Sequence, residues 1–226
     1  MSSPVKSRRP YDSSGRRGQA RRARAEIVDN ARELFIEHGY TGTTMAAIAA
    51  RAGVSVETIY KSIGNKPAVV KAVLDEAIVG DDDNVPMLER PLVAQLRSEP
   101  DPRQLFARYG RHIVDSWPRQ VPLQLILRTA ATVDADAHRQ WQAAQDERLT
   151  GMTAFANDLA QRGFLREDVD VAEAGDILWT LTAPEQYEIL VLQRGWAIER
   201  VGRFITDAMI GTLLPPNASE NHSRAR

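Results

Sequence analysis

Residues 43–66 read Thr43-Thr44-Met45-Ala46-Ala47-Ile48-Ala49-Ala50-Arg51-Ala52-Gly53-Val54-Ser55-Val56-Glu57-Thr58-Ile59-Tyr60-Lys61-Ser62-Ile63-Gly64-Asn65-Lys66. The stretch reads as two short helices joined at a glycine. Thr44 has the side chain of an N-cap, and Met45, Ile48, Ala49 and Ala52 recur at helical spacing behind it. Gly53 stops that helix, because a residue without Cβ takes the left-handed conformation a sharp turn needs. Ser55 caps the next helix, which turns Ile59 and Ile63 inward and leaves Val56, Glu57, Thr58, Tyr60 and Lys61 outward. Two such helices also make an ordinary corner of an all-α protein. As a helix-turn-helix, the outward residues of the second would read DNA.

The flanks extend the pattern. Ile27, Ala31, Leu34, Phe35 and His38 form a helix face ending at Gly39, and Gly64, Asn65, Lys66 and Pro67 open a fourth helix. Over Phe35 to Tyr60 the chain carries F-x-E-x-G-Y-x-x-T-T-x-x-x-I-A-x-x-A-G-V-S-x-x-T-x-Y, and this run resembles the TetR family of transcriptional regulators. The resemblance implies an all-α protein with an N-terminal three-helix DNA-binding head and a helical-bundle body for ligand binding and dimerisation. It places Thr44, Tyr60 and Lys66 at phosphate-contacting positions and Met45, Val56, Glu57, Thr58 and Lys61 at base-facing ones. Two features depart from the family pattern. Glu57 stands where a small residue or proline is common, and Ser62-Ile63 replaces a frequent His-Phe pair. An acid there accepts from cytosine N4 or repels the DNA backbone, which leaves the operator sequence open.

Charge supports a DNA-binding N-terminus. The net charge is −1 overall, but residues 1–70 hold 12 Lys and Arg against 6 Asp and Glu, so +6, and the remainder 17 against 24, so −7. Attraction to phosphate depends on the local field within a Debye length of about 10 Å, so the total does not exclude nucleic acid. Residues 1–20, rich in Ser, Arg, Gly and Pro, are expected to form a flexible basic arm. Lys6, Arg8, Arg9, Arg16, Arg17, Arg21, Arg22 and Arg24 give the arm and the start of the head their charge. Arg21 and Arg22 are candidate DNA contacts, binding through counterion release, although a solvated tail would have the same composition.

With 226 residues and 43% hydrophobic content the chain can bury a sizeable core. There is no cysteine, which excludes disulfides and thiolate metal sites. No apolar run approaches the roughly 18 residues of a membrane span, so a cytoplasmic protein with no membrane partner is expected. The boundaries read as a head over 21–66, an effector-binding and dimerisation body over 67–214, and a disordered tail over 215–226. Lys66 to Ile78 forms the connecting helix. Gly80, Asp81 to Asp83, Asn84 and Pro86 make a loop that lacks the alternating spacing of a calcium site. Helices follow near Pro102 to Trp117, Pro118 to Val133, Asp136 to Arg162, Val171 to Gln193 and Trp196 to Leu214.

In the body, Phe106, Tyr109, Trp117, Trp141, Met152, Phe155, Trp179 and Tyr187 can line a cavity, although each also suits a core. His112 is a candidate ligand contact or a buried, hydrogen-bonded histidine. Arg148 lies on the Trp141, Gln145, Met152, Phe155, Leu159 face of its helix and, if aimed inward, needs an anion or acceptors. Glu185, an effector's carboxylate or phosphate, and an arginine that snorkels to the surface are the alternatives. The stripe Val201, Phe204, Ile205, Ala208, Met209 and Thr212, with Ile177, Leu178, Leu181, Leu190 and Val191, permits a four-helix homodimer interface, or packing within one chain. No paired metal spacing, nucleophile elbow or phosphate-binding glycine loop appears, so no enzyme and no cofactor is expected. The expected protein is a ligand-responsive repressor that releases a palindromic operator when a small-molecule effector binds. The alternatives are a helical small-molecule-binding protein with nonspecific nucleic-acid attachment, and an effector-free architectural DNA-binding protein.

Overall fold

The computed structural model of the chain describes residues 13–79 and 91–216, and every regular element among them is helical. Two compact units divide the chain between Val73 and Leu74.

The first unit opens with α1 (Ser13–Gly42), broken at Gly39 by φ of 67° and ψ of −175°. Thr43, almost wholly buried, mends the break by donating its hydroxyl to the carbonyls of Leu34 (3.0 Å) and Gly39 (2.8 Å). Next come α2 (Met45–Arg51) and α3 (Val56–Ser62), separated by Gly53 at φ +65°. Helices of seven residues have almost no stability of their own. Ile27, Val28, Ala31 and Phe35 of α1, Ile48 of α2 and Ile59 of α3 are buried, and they supply the burial that such helices require. Arg51 adds ion pairs from α2 to Glu33 (2.9 Å) and Glu37 (3.0 Å) of α1. His38, expected on the buried face of α1, is instead exposed beside Glu37, because the core row runs through Ala31, Leu34 and Phe35 and the break follows at once.

Helix α1 begins at Ser13, inside the stretch read as an arm, so Arg21, Arg22 and Arg24 stand on helix. The run Gln19-Ala20-Arg21-Arg22-Ala23-Arg24-Ala25 has high helix propensity, and it outweighs Gly15 and Gly18. Lys6, Arg8 and Arg9, the acidic loop over 80–90 and the tail beyond Pro216 lie outside the described residues. Helix α4 (Lys66–Val79) is continuous through the boundary of the two units, seven residues beyond the boundary read from the sequence.

The second unit contains α5 (Pro91–Ser98), α6 (Pro102–Ala130), α7 (Ala135–Gln161), α8 (Val171–Leu181), α9 (Pro184–Tyr187) and α10 (Ile198–Leu213). The break expected at Pro118 does not occur, and α6 runs through both Pro118 and Pro122. Those prolines forfeit two backbone hydrogen bonds. Trp117 and Val121, buried on either side of Pro118 in one core, hold the helix together across the gap. At Pro184 the opposite happens. The expected helix over Val171–Gln193 stops at Leu181, restarts at Pro184 and continues as a π-helical stretch, Glu188–Gln193.

Core packing uses half of the stripe assigned to dimerisation. Val201, Ile205 and Met209, spaced by four on α10, and Leu178 on α8 are fully buried within the chain. Phe204 and Thr212 face outward, Ala208 is half-buried, and Ile177 and Leu181 are partly exposed. Where α6 and α10 cross, Gly110 and Gly202 meet: a Cβ on Gly202 would stand 2.6 Å from Val114 Cγ2, and one on either glycine 3.0 Å from the other's carbonyl oxygen. No helix among the described residues is long and apolar enough to cross a membrane.

Candidate DNA interface and effector site

Side-chain caps set the geometry of the head. Thr44 Oγ1 accepts from the N–H of Ala47 (3.0 Å), Ser55 Oγ from Thr58 (3.1 Å) and Asn65 Oδ1 from Ala68 (3.1 Å). These bonds satisfy helix N-terminal donors and fix where α2, α3 and α4 begin. The hydroxyls of Ser55 and Thr58 also meet at 2.8 Å. The surface of α3 carries Val56, Glu57, Tyr60 (54% exposed) and Lys61, with Thr58 half-buried beside them. Glu57 and Lys61 form an i,i+4 ion pair at 2.7 Å, so the acidic side chain on this surface already has a cation of its own. Thr44 is exposed, Met45 half-buried, and Lys66 Nζ stands 4.0 Å above the Tyr40 ring. Arg21 and Arg22 are exposed on α1, Arg22 donating to the Gly18 carbonyl (3.4 Å).

In the body, the candidate effector residues separate into groups. Phe106, Tyr109 and Phe155 form one aromatic set, with Phe155 centred 6.0 Å from Phe106 and 5.6 Å from Tyr109. His112 lies 6.1 Å from Tyr109, and Met152 packs half-buried against the same core. Trp117 and Tyr187 are buried together elsewhere in the core, edge to face at 6.4 Å. Trp141 is half-buried on α7, outside these ring contacts.

Arg148 does not pair with Glu185. Its Nη1 donates to the carbonyl of Trp179 (2.5 Å) and the hydroxyl of Thr182 (3.3 Å), its Nε and Nη2 to Gln145 Oε1 (3.4 and 3.1 Å), and its guanidinium stacks 4.3 Å from the Trp179 ring centroid. Glu185 and Glu188 are held instead by Arg128, at 2.9 and 2.7 Å. Burial lowers the Arg148 pKa, with Glu185 and Tyr109 pulling it the other way. Burial also pushes the Tyr109 hydroxyl up to about 12, against the influence of Arg148 and a hydrogen bond with Thr182. His112 is shifted below its usual range, again by burial, and the neutral imidazole is favoured.

A ladder the sequence reading missed runs along α6. Gln124 Nε2 donates to Gln120 Oε1 (3.3 Å), Gln120 Nε2 to Ser116 Oγ (3.0 Å), and Ser116 Oγ lies 3.5 Å from His112 Nε2. The i,i+4 spacing of four polar residues was visible in the sequence. That Ser116 (1% exposed) and Gln120 (8%) face the core was not. An open groove of about 340 Å³, lined by Glu173, Asp176, Ile177, Thr180, Leu181 and Thr212, contains none of the candidate effector residues.

Capped short helices, a glycine turn and an outward-facing second helix define a helix-turn-helix DNA-binding protein. Residues 27–73 match the model of the family described as bacterial regulatory proteins, tetR family. The HTH-type transcriptional regulator TtgR of Pseudomonas putida is 28% identical over 162 residues, covering 69% of this chain and 74% of TtgR. Residues 27–73 thus carry the DNA-binding domain of the TetR family, and the chain is a DNA-binding transcriptional regulator. Solved structures share the fold. A protein from Saccharomonospora viridis in complex with choline superposes with a TM-score of 0.65 at 19% identity, covering 87% of this chain and 100% of that one. FadR from Bacillus subtilis in complex with stearoyl-CoA gives 0.64 at 18% identity, covering 82% and 97%.

Proposed function

We propose that this chain is a homodimeric cytoplasmic repressor that holds a palindromic operator and releases it when a small molecule occupies the body. The exposed face of α3, fixed at both ends by Ser55 and the Gly64 turn, carries this reading. Tyr60, Lys66 and Thr44 contact phosphate and set the register, with Arg21 and Arg22 adding charge. Val56, Thr58, Glu57, Lys61 and Met45 face the bases. A single seven-residue helix reads too little DNA to be selective, whereas two helices about 34–36 Å apart read both halves of a palindrome.

The partly exposed row of α8 and α10, Ile177, Leu181, Phe204 and Thr212, supports pairing of two bodies, burying at least roughly 1,200 Å² in total. Effector contacts are Phe106, Tyr109, His112, Met152, Phe155, Arg148 and Trp179, with Trp117, Trp141 and Tyr187 around them. The relatives' ligands support small-molecule control. They do not choose the ligand class here, since one is a cation and another an acyl thioester of an anionic nucleotide. A ligand that prefers a spacing of the α3 pair unsuited to DNA lowers operator affinity 5- to 150-fold for a coupling of about 1–3 kcal/mol. The continuous helix α4 carries that signal.

Fluorescence anisotropy on a family of operator variants tests the reading. Tyr60→Ala and Lys66→Ala should weaken binding to every variant, with the salt slope falling by about one for the lysine. Thr58→Ala should change which variant is preferred. Uniform loss for all three substitutions defeats the assignment. Phe204→Asp changes an exposed side chain and should leave the fold intact while yielding monomers by sedimentation. A wild-type protein monomeric at micromolar concentration defeats the dimer.

A further inference from the structure

The end of α8 is held by a side chain from another helix. In an uninterrupted helix the Trp179 carbonyl would accept from the N–H of Ala183, but that N–H bonds Thr180 (3.2 Å), and Pro184 has none to offer. Arg148 of α7 fills the vacancy through the Trp179 carbonyl and the Thr182 hydroxyl. Thr182 is buried and donates in turn to Leu178 (2.8 Å).

Two features of this clasp are unfinished. Every hydrogen-bond acceptor of Arg148 is neutral: an amide oxygen, a backbone carbonyl and a hydroxyl. Glu185, the carboxylate Arg148 feels, is bonded to Arg128. A half-buried cation with no anion in contact is electrostatically incomplete. Beside it, the indole N–H of Trp179 is buried and meets no acceptor among the described residues. The guanidinium stacks on that same indole, so the incomplete cation and the unused donor belong to one stacked pair. Tyr109 and Phe155 supply aromatic surface, and Tyr109 is coupled to the clasp through Thr182. Arg148, Trp179 and Tyr109 are each partly exposed as residues, although the Trp179 Nε1 atom itself is covered.

Resting on the repressor reading, we propose that the effector is a carboxylate on a flat apolar frame. Its two oxygens take the Arg148 guanidinium and the Trp179 indole N–H, and its frame lies against Tyr109 and Phe155. By drawing Arg148 from the Trp179 carbonyl, the ligand uncaps α8 and loosens the break between Leu181 and Pro184. The device that recognises the ligand is therefore the one that holds the helix end.

The test compares biphenyl-4-carboxylate with biphenyl-4-carboxamide, equal in shape and different in charge, by calorimetry on the full-length protein without DNA. The carboxylate should bind at least about 10-fold more tightly, the scale of a charge-assisted hydrogen bond. Arg148→Met should abolish that preference. Trp179→Phe keeps a ring and removes only the donor, and should weaken the carboxylate on the order of 3- to 10-fold. If Arg148→Met does not fold, Trp179→Phe decides. Hydrogen exchange at Thr182–Tyr187 should quicken with the carboxylate. Equal affinity for the two probes, no binding of the carboxylate, a preference surviving in folded Arg148→Met, or unchanged exchange overturns the proposal. Operator binding is measured separately. If the carboxamide alone releases DNA, the ligand class fails and the repressor reading stands. If the protein never binds an operator but prefers the carboxylate, the reverse holds.

Discussion

In the head, Thr44, Ser55 and Asn65 close the N-termini of α2, α3 and α4, each within three residues of its partner. In the body, Ser116 and Gln120 bond each other inside the bundle, and Arg148 reaches a carbonyl 31 residues away. The difference follows from length. Seven-residue α2 and α3 need caps to form at all, whereas α6 and α7, at 29 and 27 residues, are capped too, by Asp101 and Asp134, but are long enough for packing to set most of their course. Polar groups buried in such helices add orientation rather than helicity, because each must find its partner or suffer full desolvation.

Glycine substitutions test this contrast most strongly. At the α6–α10 crossing, Gly110→Ala would drive a Cβ toward Thr206 Oγ1 and the Gly202 carbonyl, costing on the order of 1–3 kcal/mol even after about 1 kcal/mol of gained helix propensity. In the head, Gly53→Ala meets open space, so only its φ of +65° penalises it, by about 1–2 kcal/mol. Urea unfolding of both variants checks the two mechanisms, and a Gly110→Ala protein as stable as wild type would show that the helices can move apart freely. Next in size, Ser116→Ala strands the buried Gln120 amide at about 1–3 kcal/mol, while Thr44→Ala loses an exposed cap worth about 1 kcal/mol. Equal costs for the pair would erase the distinction between inner and outer polar groups.

How much was legible in the sequence follows the same division. The caps and turns at Thr44, Gly53 and Ser55 and the core positions Ile48 and Ile59 were readable because cause and effect lie within a few residues. Pro118 misled, since the local rule that proline breaks a helix was overruled by Trp117 and Val121 sharing one core. Glu185 misled because the competition between Arg128 and Arg148 is settled by three-dimensional distance. The α10 stripe could be divided into buried Val201, Ile205 and Met209 and exposed Phe204 only once its packing partners were placed.

Acid sharpens the comparison less. His112 is shifted down by burial and by Arg119 and up by Asp115, with burial the largest cause, so the folded protein disfavours its protonation. Its contribution is fully present above the ordinary pKa of 6.5 and is lost as pH falls toward the depressed folded value. Urea midpoints measured from pH 7 to pH 5 should therefore decline less in His112→Gln than in wild type. Identical declines would mean that the ladder accepts a charged imidazole.

The smallest expected stability change comes from the Glu57–Lys61 pair. Both side chains are about three-quarters exposed, at 73% and 76%, and exposed i,i+4 pairs contribute only a few tenths of a kcal/mol. Glu57→Gln should therefore leave the urea midpoint within error. Its effect on DNA should be larger than its effect on folding, because it removes a negative charge that repels the DNA backbone and leaves the Lys61 charge without its ion-pair partner. Affinity for random duplex should rise, and the dependence of log affinity on log salt should steepen by about one unit. If Glu57 accepts from a cytosine, binding to one operator variant should instead fall while binding to random duplex rises, narrowing the specificity ratio. A Glu57→Gln protein with unchanged salt slope and unchanged preference would place this face of α3 away from DNA.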